Sequence, residues 1–144
     1  MRLGIISDTH GHLPNEVFDV FAGVDRILHA GDIGPPDLLT ALEALAPVTA
    51  VFGNTDGFDI RGRVPEVVEV RLEGFDFLLL HGHQFGQPTP EAVLRAYPTA
   101  EVIIYGHTHR PLLELVDQVV TVMNPGSAGA PGHGLPRSVG VLEL

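Results

Sequence analysis

The apolar residues in the first half of the chain come in short runs, and each run stops at a polar tip. Runs typical of buried strands cover Leu3–Ser7, Arg26–His29 and Val48–Phe52. Apolar residues at helical spacing lie between them, at Pro14–Phe21 and Pro36–Leu45. This alternation of strand and helix predicts a parallel sheet with right-handed crossovers.

The pattern changes in the second half, where helical spacing becomes rare. Val67–Leu72 and Phe75–Leu80 flank a Glu-Gly turn and predict a β-hairpin. One helix is predicted at Thr89–Tyr97, with Thr89 as its N-cap. The loss of helices predicts antiparallel pairing here, within one α/β domain over residues 1–144 that has a mixed sheet or two stacked sheets. Four further strands are predicted: Val102–Tyr105, Leu112–Val116, Val119–Met123 and Ser138–Leu144.

Five of the apolar runs end in tips that are rich in Gly, Asp and His. Ligands of open α/β sheets bind beyond the carboxyl ends of the strands, so we expect these tips to converge on one edge. The tips are SDTHGH (7–12), HAGD (29–32), GNTD (53–56), HGHQ (81–84) and GHTH (106–109). Their side chains with metal-binding chemistry are Asp8, His10, Asp32, Asn54, His81, His107 and His109.

The spacing and type of these side chains favour a metal site. Residues at i and i+2 of an extended segment point to the same side, so we expect Asp8 with His10, and His107 with His109, each to face one place. Mixed carboxylate and imidazole ligands suit Mn, Zn, Fe, Co or Ni. Seven such ligands exceed the needs of one tetrahedral ion and fit two ions about 3.5–4 Å apart that share a carboxylate.

Composition narrows the choice of chemistry. The chain has no cysteine, which excludes thiolate zinc sites, disulfides and cysteine nucleophiles. Its net charge of −10 argues against bulk binding of nucleic acid or anionic membranes, so a phosphate-bearing substrate would need a local positive centre such as a metal. The N-terminus lacks the pattern of a signal peptide, and no apolar stretch approaches about 18 residues. These features predict a cytoplasmic protein with no membrane partner.

Taken in this order, the five motifs resemble those of the calcineurin-like metallophosphoesterases, in particular the small prokaryotic phosphodiesterases of the YfcE type. That family's pattern is D-x-H, G-D, G-N-x-[DE], H-G-H and G-H-[TS]-H, each after a strand. The NPGS turn at 124–127 matches a further feature of this subfamily, and the resemblance covers essentially the whole chain. It implies a four-layer αββα sandwich with a dinuclear centre at one edge.

The resemblance also implies roles for the tip residues. Manganese is the expected metal, with nickel, cobalt, zinc and iron as alternatives. The implied reaction is hydrolysis of a small phosphodiester by in-line attack of a metal-bridging hydroxide, with no covalent enzyme intermediate. Asp32, Asn54, Asp56 and His107 are the implied catalytic residues. The implied ligands are Asp8, His10 and His109 for the first ion, and Asn54, His81 and His107 for the second, with Asp32 bridging both.

Other residues leave alternatives open. Asn54 is expected to contact substrate, and Arg110 is either a phosphate contact or an ordinary surface arginine. Many larger members of the family have a histidine where this chain has Thr55, which favours diester over alkyl monoester substrates. His12 and His83 are candidates to replace that histidine, although a structural role is favoured for both, and His29 is expected to be a core histidine.

Three functions are compatible with these features. The first is the phosphodiesterase. The second is a non-catalytic metal-binding or protein-interaction scaffold, as in a related eukaryotic retromer subunit. The third is a phosphomonoesterase. A homo-oligomer is compatible with exposed strands in the second half.

Overall fold

The computed structural model describes residues 1–144 and contains nine strands and four short α-helices. The strands are β1 (Arg2–Ile6), β2 (Arg26–His29), β3 (Val48–Ala50), β4 (Val67–Leu72), β5 (Phe75–Leu80), β6 (Val102–Ile104), β7 (Leu112–Val116), β8 (Val120–Asn124) and β9 (Gly140–Glu143). The helices are α1 (Glu16–Val20), α2 (Asp37–Glu43), α3 (Phe58–Arg61) and α4 (Pro90–Ala96), and a 3₁₀ turn covers His83–Phe85.

The first sheet has the strand order β3-β2-β1-β9. Its strands β1, β2 and β3 are parallel, which confirms the pairing predicted from the alternation of strands and helices. The last strand of the chain, β9, joins this sheet antiparallel to β1. Nothing in the apolar pattern of residues 138–144 indicates which sheet they enter.

The second sheet has the order β4-β5-β6-β8-β7 and is mixed. Antiparallel pairs, including the predicted hairpin, lie at its two edges. The central strands β5, β6 and β8 are parallel, so the expectation of antiparallel pairing is wrong there. The connection from β5 to β6 contains α4 and is long enough for a parallel crossover, which is the physical reason for the difference.

Three apolar clusters separate four layers, and they confirm the αββα sandwich. The central cluster packs Leu3, Ile5 and Leu28 of the first sheet against residues such as Phe77 and Ile104 of the second. The cluster on the outer face of the first sheet is covered by α1, α2 and α3. The cluster on the outer face of the second sheet contains Val93 of α4.

For most strands and helices, the bounds predicted from the sequence agree with the observed bounds to within two residues. The predicted N-cap of α4 is confirmed, because the Thr89 hydroxyl accepts a hydrogen bond from the Ala92 amide at 3.2 Å. The four-residue helix α3 and the 3₁₀ turn at His83–Phe85 are missing from the prediction, since neither is long enough to show helical periodicity. No helix of the chain is both long and apolar enough to cross a membrane.

Candidate metal centre

The polar tips of both sheets meet at one edge of the sandwich. In the first sheet, the Asp8 amide donates to the Gly31 carbonyl at 3.0 Å, which joins the tips of β1 and β2. In the second, the Gly106 amide donates to the His81 carbonyl at 3.0 Å, which joins the tips of β6 and β5. The His107 amide then crosses between the sheets and donates to Asp8 Oδ2 at 3.1 Å.

Asp8 lies at the centre of this edge and is fully buried. Its Oδ2 accepts hydrogen bonds from the Ser7 hydroxyl at 2.6 Å and from the His107 amide. Its Oδ1 is buried without a hydrogen bond, and three imidazole Nε2 atoms face it: His109 at 3.1 Å, His10 at 3.5 Å and His81 at 3.9 Å. A buried anionic oxygen that lacks a donor is suited to a bound cation.

Asp32 is the second buried carboxylate. Its Oδ1 accepts a hydrogen bond from the Thr55 amide at 3.0 Å. Its Oδ2 lies 3.2 Å from His81 Nε2 and 3.6 Å from His10 Nε2. One carboxylate oxygen is therefore approached by two imidazole nitrogens from different loops.

The histidines present their ligand nitrogens because the opposite ring nitrogens are already bonded. His81 Nδ1 donates to the Ala30 carbonyl at 2.8 Å, and His109 Nδ1 donates to the Pro131 carbonyl at 3.2 Å. These bonds leave both Nε2 atoms as electron-pair donors aimed at the carboxylates. His107 Nδ1 lies 3.3 Å from His81 Nε2, so this third imidazole belongs to the same group.

Electrostatics keep both carboxylates ionised. Burial by itself raises the pKa of Asp8, but the imidazoles of His10 and His109 hold that pKa well below its usual range. The pKa of Asp32 is lowered in spite of burial, mainly by its contact with His81. In turn, the pKa of His81 is raised in spite of burial, through Asp32, and the pKa of His109 is raised by Asp8.

The donor atoms fit divalent cations in number and kind. Two groups of three residues, Asp8 with His10 and His109, and Asp8 with Asp32 and His81, each place their ligand atoms within 4.8 Å of one another. All these donors are carboxylate oxygens or imidazole nitrogens, the ligands preferred by Mn, Fe, Co, Ni and Zn. The orphaned Asp8 Oδ1 is the atom whose environment most needs a cation.

Left-handed backbone conformations, which the sequence did not predict, orient the ligand-type residues at this edge. Asp8 and His10, like His107 and His109, were expected to share a side as i and i+2 residues of extended segments. That expectation of extended backbone is wrong, because all four have a left-handed conformation, as does Asp32, with φ between 47° and 71°. Tight left-handed turns beyond the strand ends, rather than alternation along a strand, aim these side chains.

The whole chain, residues 1–144, matches the model of the calcineurin-like phosphoesterase superfamily domain. The chain belongs to the calcineurin-like phosphoesterase superfamily. It is 41% identical to a probable metallophosphoesterase of Methanothermobacter thermautotrophicus, a match that covers 100% of this chain and 86% of that protein. It is 34% identical to the phosphodiesterase YfcE of Escherichia coli, over 99% of this chain and 88% of YfcE.

Solved structures of similar proteins include enzymes and a protein named for sorting. An archaeal phosphodiesterase superposes with a TM-score of 0.80 at 31% identity, covering 99% of this chain and 93% of its own. A single mutant of Vps29 from Entamoeba histolytica superposes with a TM-score of 0.85 at 25% identity, covering 100% and 86%. The family match and the relatives named phosphodiesterase identify the chain as a metal-dependent phosphoesterase.

Three further residues expected at this superfamily's site make contacts other than those of the buried group. Asn54 is exposed on the loop after β3, and its backbone carbonyl accepts a bond from Arg61 at 3.5 Å. Arg110 is exposed, and its amide donates to the Thr108 hydroxyl. Asp56 is buried, and its carboxylate accepts three backbone amides, from Ile33 at 2.9 Å, Gly34 at 3.1 Å and Gly53 at 2.8 Å. These bonds favour a positioning role for Asp56 over the catalytic role expected from the sequence.

The NPGS turn acts as a brace for two ligand-bearing loops. Asn124 Nδ2 donates to the Gly106 carbonyl and to the Thr108 hydroxyl, both at 3.0 Å, and so fixes the GHTH loop. The Ser127 hydroxyl donates to the Asp8 carbonyl at 2.8 Å. The sequence indicated this turn but not its contacts. The bond between Ser7 and Asp8 was not predicted either, because a serine before an aspartate has no distinctive pattern.

The remaining histidines have other neighbours. His29 is confirmed as a core residue: its Nδ1 accepts from the Gly31 amide, its Nε2 donates to the Thr9 hydroxyl, and burial lowers its pKa to about 3. His12 is exposed and lies 3.1 Å from the Arg137 guanidinium. His83 lies 3.7 Å from Glu66, and burial lowers its pKa.

Proposed function

We propose that residues 1–144 form one domain that hydrolyses small phosphodiesters with two divalent cations, manganese being the expected metal. The observation that carries this proposal is that Asp32 Oδ2 lies close to two imidazoles, 3.6 Å from His10 Nε2 and 3.2 Å from His81 Nε2. These two histidines are assigned to different ions, so a single carboxylate oxygen near both is suited to bridging the two ions. Identity to phosphodiesterases over nearly the whole chain supports the same reaction class.

His10 and His81 both approach Asp32 but are assigned to different ions, and this assignment divides the other ligands into two sets. Asp8, His10 and His109 would hold the first ion, since their ligand atoms form one compact group. His81 and His107 would hold the second, with Nε2 and Nδ1 only 3.3 Å apart. Asn54 would complete that second set by turning its amide oxygen inward from its exposed position beside Thr55.

When bound, the cations supply an activated water and neutralise charge on the phosphate. The residues of the chain then have distinct tasks. Asp8 and Asp32 remain ionised at neutral pH because their pKa values are lowered. His81 and His109 are held in one orientation by the Ala30 and Pro131 carbonyls. Arg110, which is exposed, and the amide nitrogen of Asn54, whose amide oxygen would bind the second ion, would contact phosphate oxygens.

The site lacks a side chain at position 55 that could donate a proton to the leaving group. Thr55 is exposed and carries no group that releases a proton near neutral pH. The departing alcohol must therefore leave as a stable anion or take its proton from water. We accordingly expect aryl diesters to be much better substrates than alkyl monoesters.

A protein-interaction scaffold is the second candidate, because the Vps29 structure shares this fold. A scaffold of this fold needs no complete set of ligands. This chain has all seven ligand-type residues in order, and six of them form one connected group at the edge. That completeness favours the enzyme.

The proposal is tested by stripping the protein of metal and reloading it with Mn²⁺, Ni²⁺, Co²⁺ or Zn²⁺ in turn. Hydrolysis of bis(p-nitrophenyl) phosphate should return with at least one metal and exceed hydrolysis of an alkyl monoester such as glycerol phosphate by about 100-fold or more, because only the alkoxide leaving group needs a general acid. Asp32→Asn should lower the metal content and reduce diester turnover by at least about 100-fold.

Asp76→Asn is the matched control, because Asp76 forms a surface ion pair with Arg71 at the far end of β5. It should keep normal metal content and turnover. If no metal restores diester hydrolysis, the proposal of an enzyme fails and the result favours a protein-interaction scaffold. Full activity in Asp32→Asn would contradict the bridging role.

A further inference from the structure

Phe58 is the most exposed large apolar side chain of the protein, with 93% of its surface accessible. It is the first residue of α3, directly after the GNTD loop that ends at Asp56. An isolated exposed leucine is ordinary, whereas a phenylalanine exposed this fully leaves a whole aromatic ring in water. Neither the metal ligands nor the packing of the sandwich accounts for this ring.

The segment that displays Phe58 is fixed rather than loose. Ile60, two residues along, is 1% exposed and packs in the cluster beneath the helices. Arg61 Nε donates to the Asp56 carbonyl at 2.7 Å, and its guanidinium lies 4.6 Å from the centre of the Phe52 ring. The helix is therefore anchored by one buried side chain and one stacked cation, and Phe58 projects from a defined position.

That position is close to the candidate metal centre. The Thr55 amide donates to Asp32 Oδ1 at 3.0 Å, so the backbone at Thr55 touches the bridging carboxylate. Only three peptide units separate Thr55 from Phe58, and three units span at most about 11 Å between Cα atoms. The Phe58 Cα therefore lies within about 11 Å of the Thr55 Cα, a distance that a nucleoside attached to a phosphate at Asp32 can span.

We propose that Phe58 is a stacking platform for a flat aromatic group of the substrate, with a nucleobase as the chemistry that fits best. The inference rests on the proposed function, because the phosphate of the same substrate would occupy the metal centre. Every base has a face that can stack on an aromatic ring, and stacking needs no positive charge on the protein. This mode suits a chain with a net charge of −10 and no lysine.

The test is calorimetric binding of two ligands to the manganese-loaded protein. Adenosine 5′-monophosphate and ribose 5-phosphate share the sugar phosphate and differ only in the base. We expect the nucleotide to bind about 5- to 150-fold more tightly, which corresponds to the known range of base–aromatic stacking. Phe58→Ala should remove most of this difference without weakening ribose 5-phosphate, and Phe58→Trp should preserve it.

Phe75→Ala is the matched control. Phe75 is also exposed, at 44%, but it begins β5, whereas His81 follows the other end of that strand. This variant should bind both ligands like the unchanged protein. A difference of the same size in Phe58→Ala and in the unchanged protein would overturn the proposal.

Three other outcomes also decide whether Phe58 stacks on the substrate. If neither ligand binds the loaded protein and diester hydrolysis is absent as well, the proposed function fails and this inference fails with it. If hydrolysis is present but the base adds no affinity, only the stacking inference fails. A lower molecular mass in solution for Phe58→Ala, with unchanged nucleotide affinity, would assign the ring to an interface between copies of the chain and overturn the proposal.

Discussion

Two glycines in the loop after β3 differ in what an added side chain would meet. A Cβ on Gly53 would overlap the Asp32 side chain at Oδ1 and lie 2.6 Å from the Asp32 backbone nitrogen. A Cβ on Gly57, four residues later, would have no atom within 4 Å, and the φ of −88° there is open to any residue. The close approach at Gly53 leaves room for the Asp32 carboxylate and for no additional side-chain atom.

We therefore predict that Gly53→Ala displaces Asp32 and lowers kcat/KM for an aryl diester by about 100-fold, the effect of a shift of roughly 1 Å in a reacting group. Gly57→Ala should stay within about threefold of the unchanged protein. Steady-state kinetics on the two metal-loaded variants, with metal content measured in parallel, provides the comparison. Equal losses in both variants would show that the loop, and not the contact with Asp32, determines activity.

At the scale of elements, Asp56 connects the segments that follow β2 and β3. Its Oδ1 accepts the amides of Ile33 and Gly34, and its Oδ2 accepts the amide of Gly53. Three backbone donors on one buried carboxylate hold the two segments, which carry Asp32 and Asn54, at a fixed separation. The Asp56 side chain thus sets the distance between the loops that carry Asp32 and Asn54.

Asp56→Asn should lower the free energy of unfolding by about 1–3 kcal/mol, because one amide group would face the Gly53 donor and leave it unbonded. Urea denaturation of the metal-free variant measures this loss. Asp59→Asn is the control, since Asp59 is exposed on α3. An unchanged unfolding midpoint in Asp56→Asn would mean that the three bonds contribute little to the fold.

The strands and helices also show which parts of the fold and the candidate site could be predicted from the sequence. Apolar periodicity located the strand and helix regions, and the polar tips identified which residues would gather. The tips converge because β1, β2 and β3 are parallel, and so are β5 and β6, as crossover connections require. Pairing of β9 with β1 depends on contacts between distant segments, and the left-handed turns depend on local backbone energies that side-chain polarity does not report.

At the scale of the whole molecule, the candidate metal centre draws its residues from both sheets. Asp8 and Asp32 follow strands of the first sheet, and His81 and His107 follow strands of the second. Cations held by both sets would cross-link the two middle layers of the sandwich. Loading should therefore stabilise the entire fold and not only the loops around the site.

We predict that Mn²⁺ at about 100 times its dissociation constant raises the free energy of unfolding by about 2.7 kcal/mol for one site, which corresponds to a rise in Tm of roughly 5–10 °C. Differential scanning calorimetry with and without metal measures the shift. Asp76→Asn should show the full shift and Asp32→Asn only a small part of it. An identical shift in Asp32→Asn would place the stabilising ion elsewhere on the surface.

The left-handed backbone at Asp8, His10, Asp32, His107 and His109 sets a limit on how this protein can become more heat-resistant. Each such residue costs about 1–2 kcal/mol relative to a relaxed conformation, and glycine would relieve most of that cost. A laboratory selection for thermal survival in the presence of a chelator would therefore favour glycine at His10, His107 and His109, whereas the hydrogen bonds that Asp8 and Asp32 accept would retain those carboxylates. If these histidines bind cations as proposed, the same selection with Mn²⁺ supplied would keep them, so the metal in the growth medium would determine whether the proposed ligands persist.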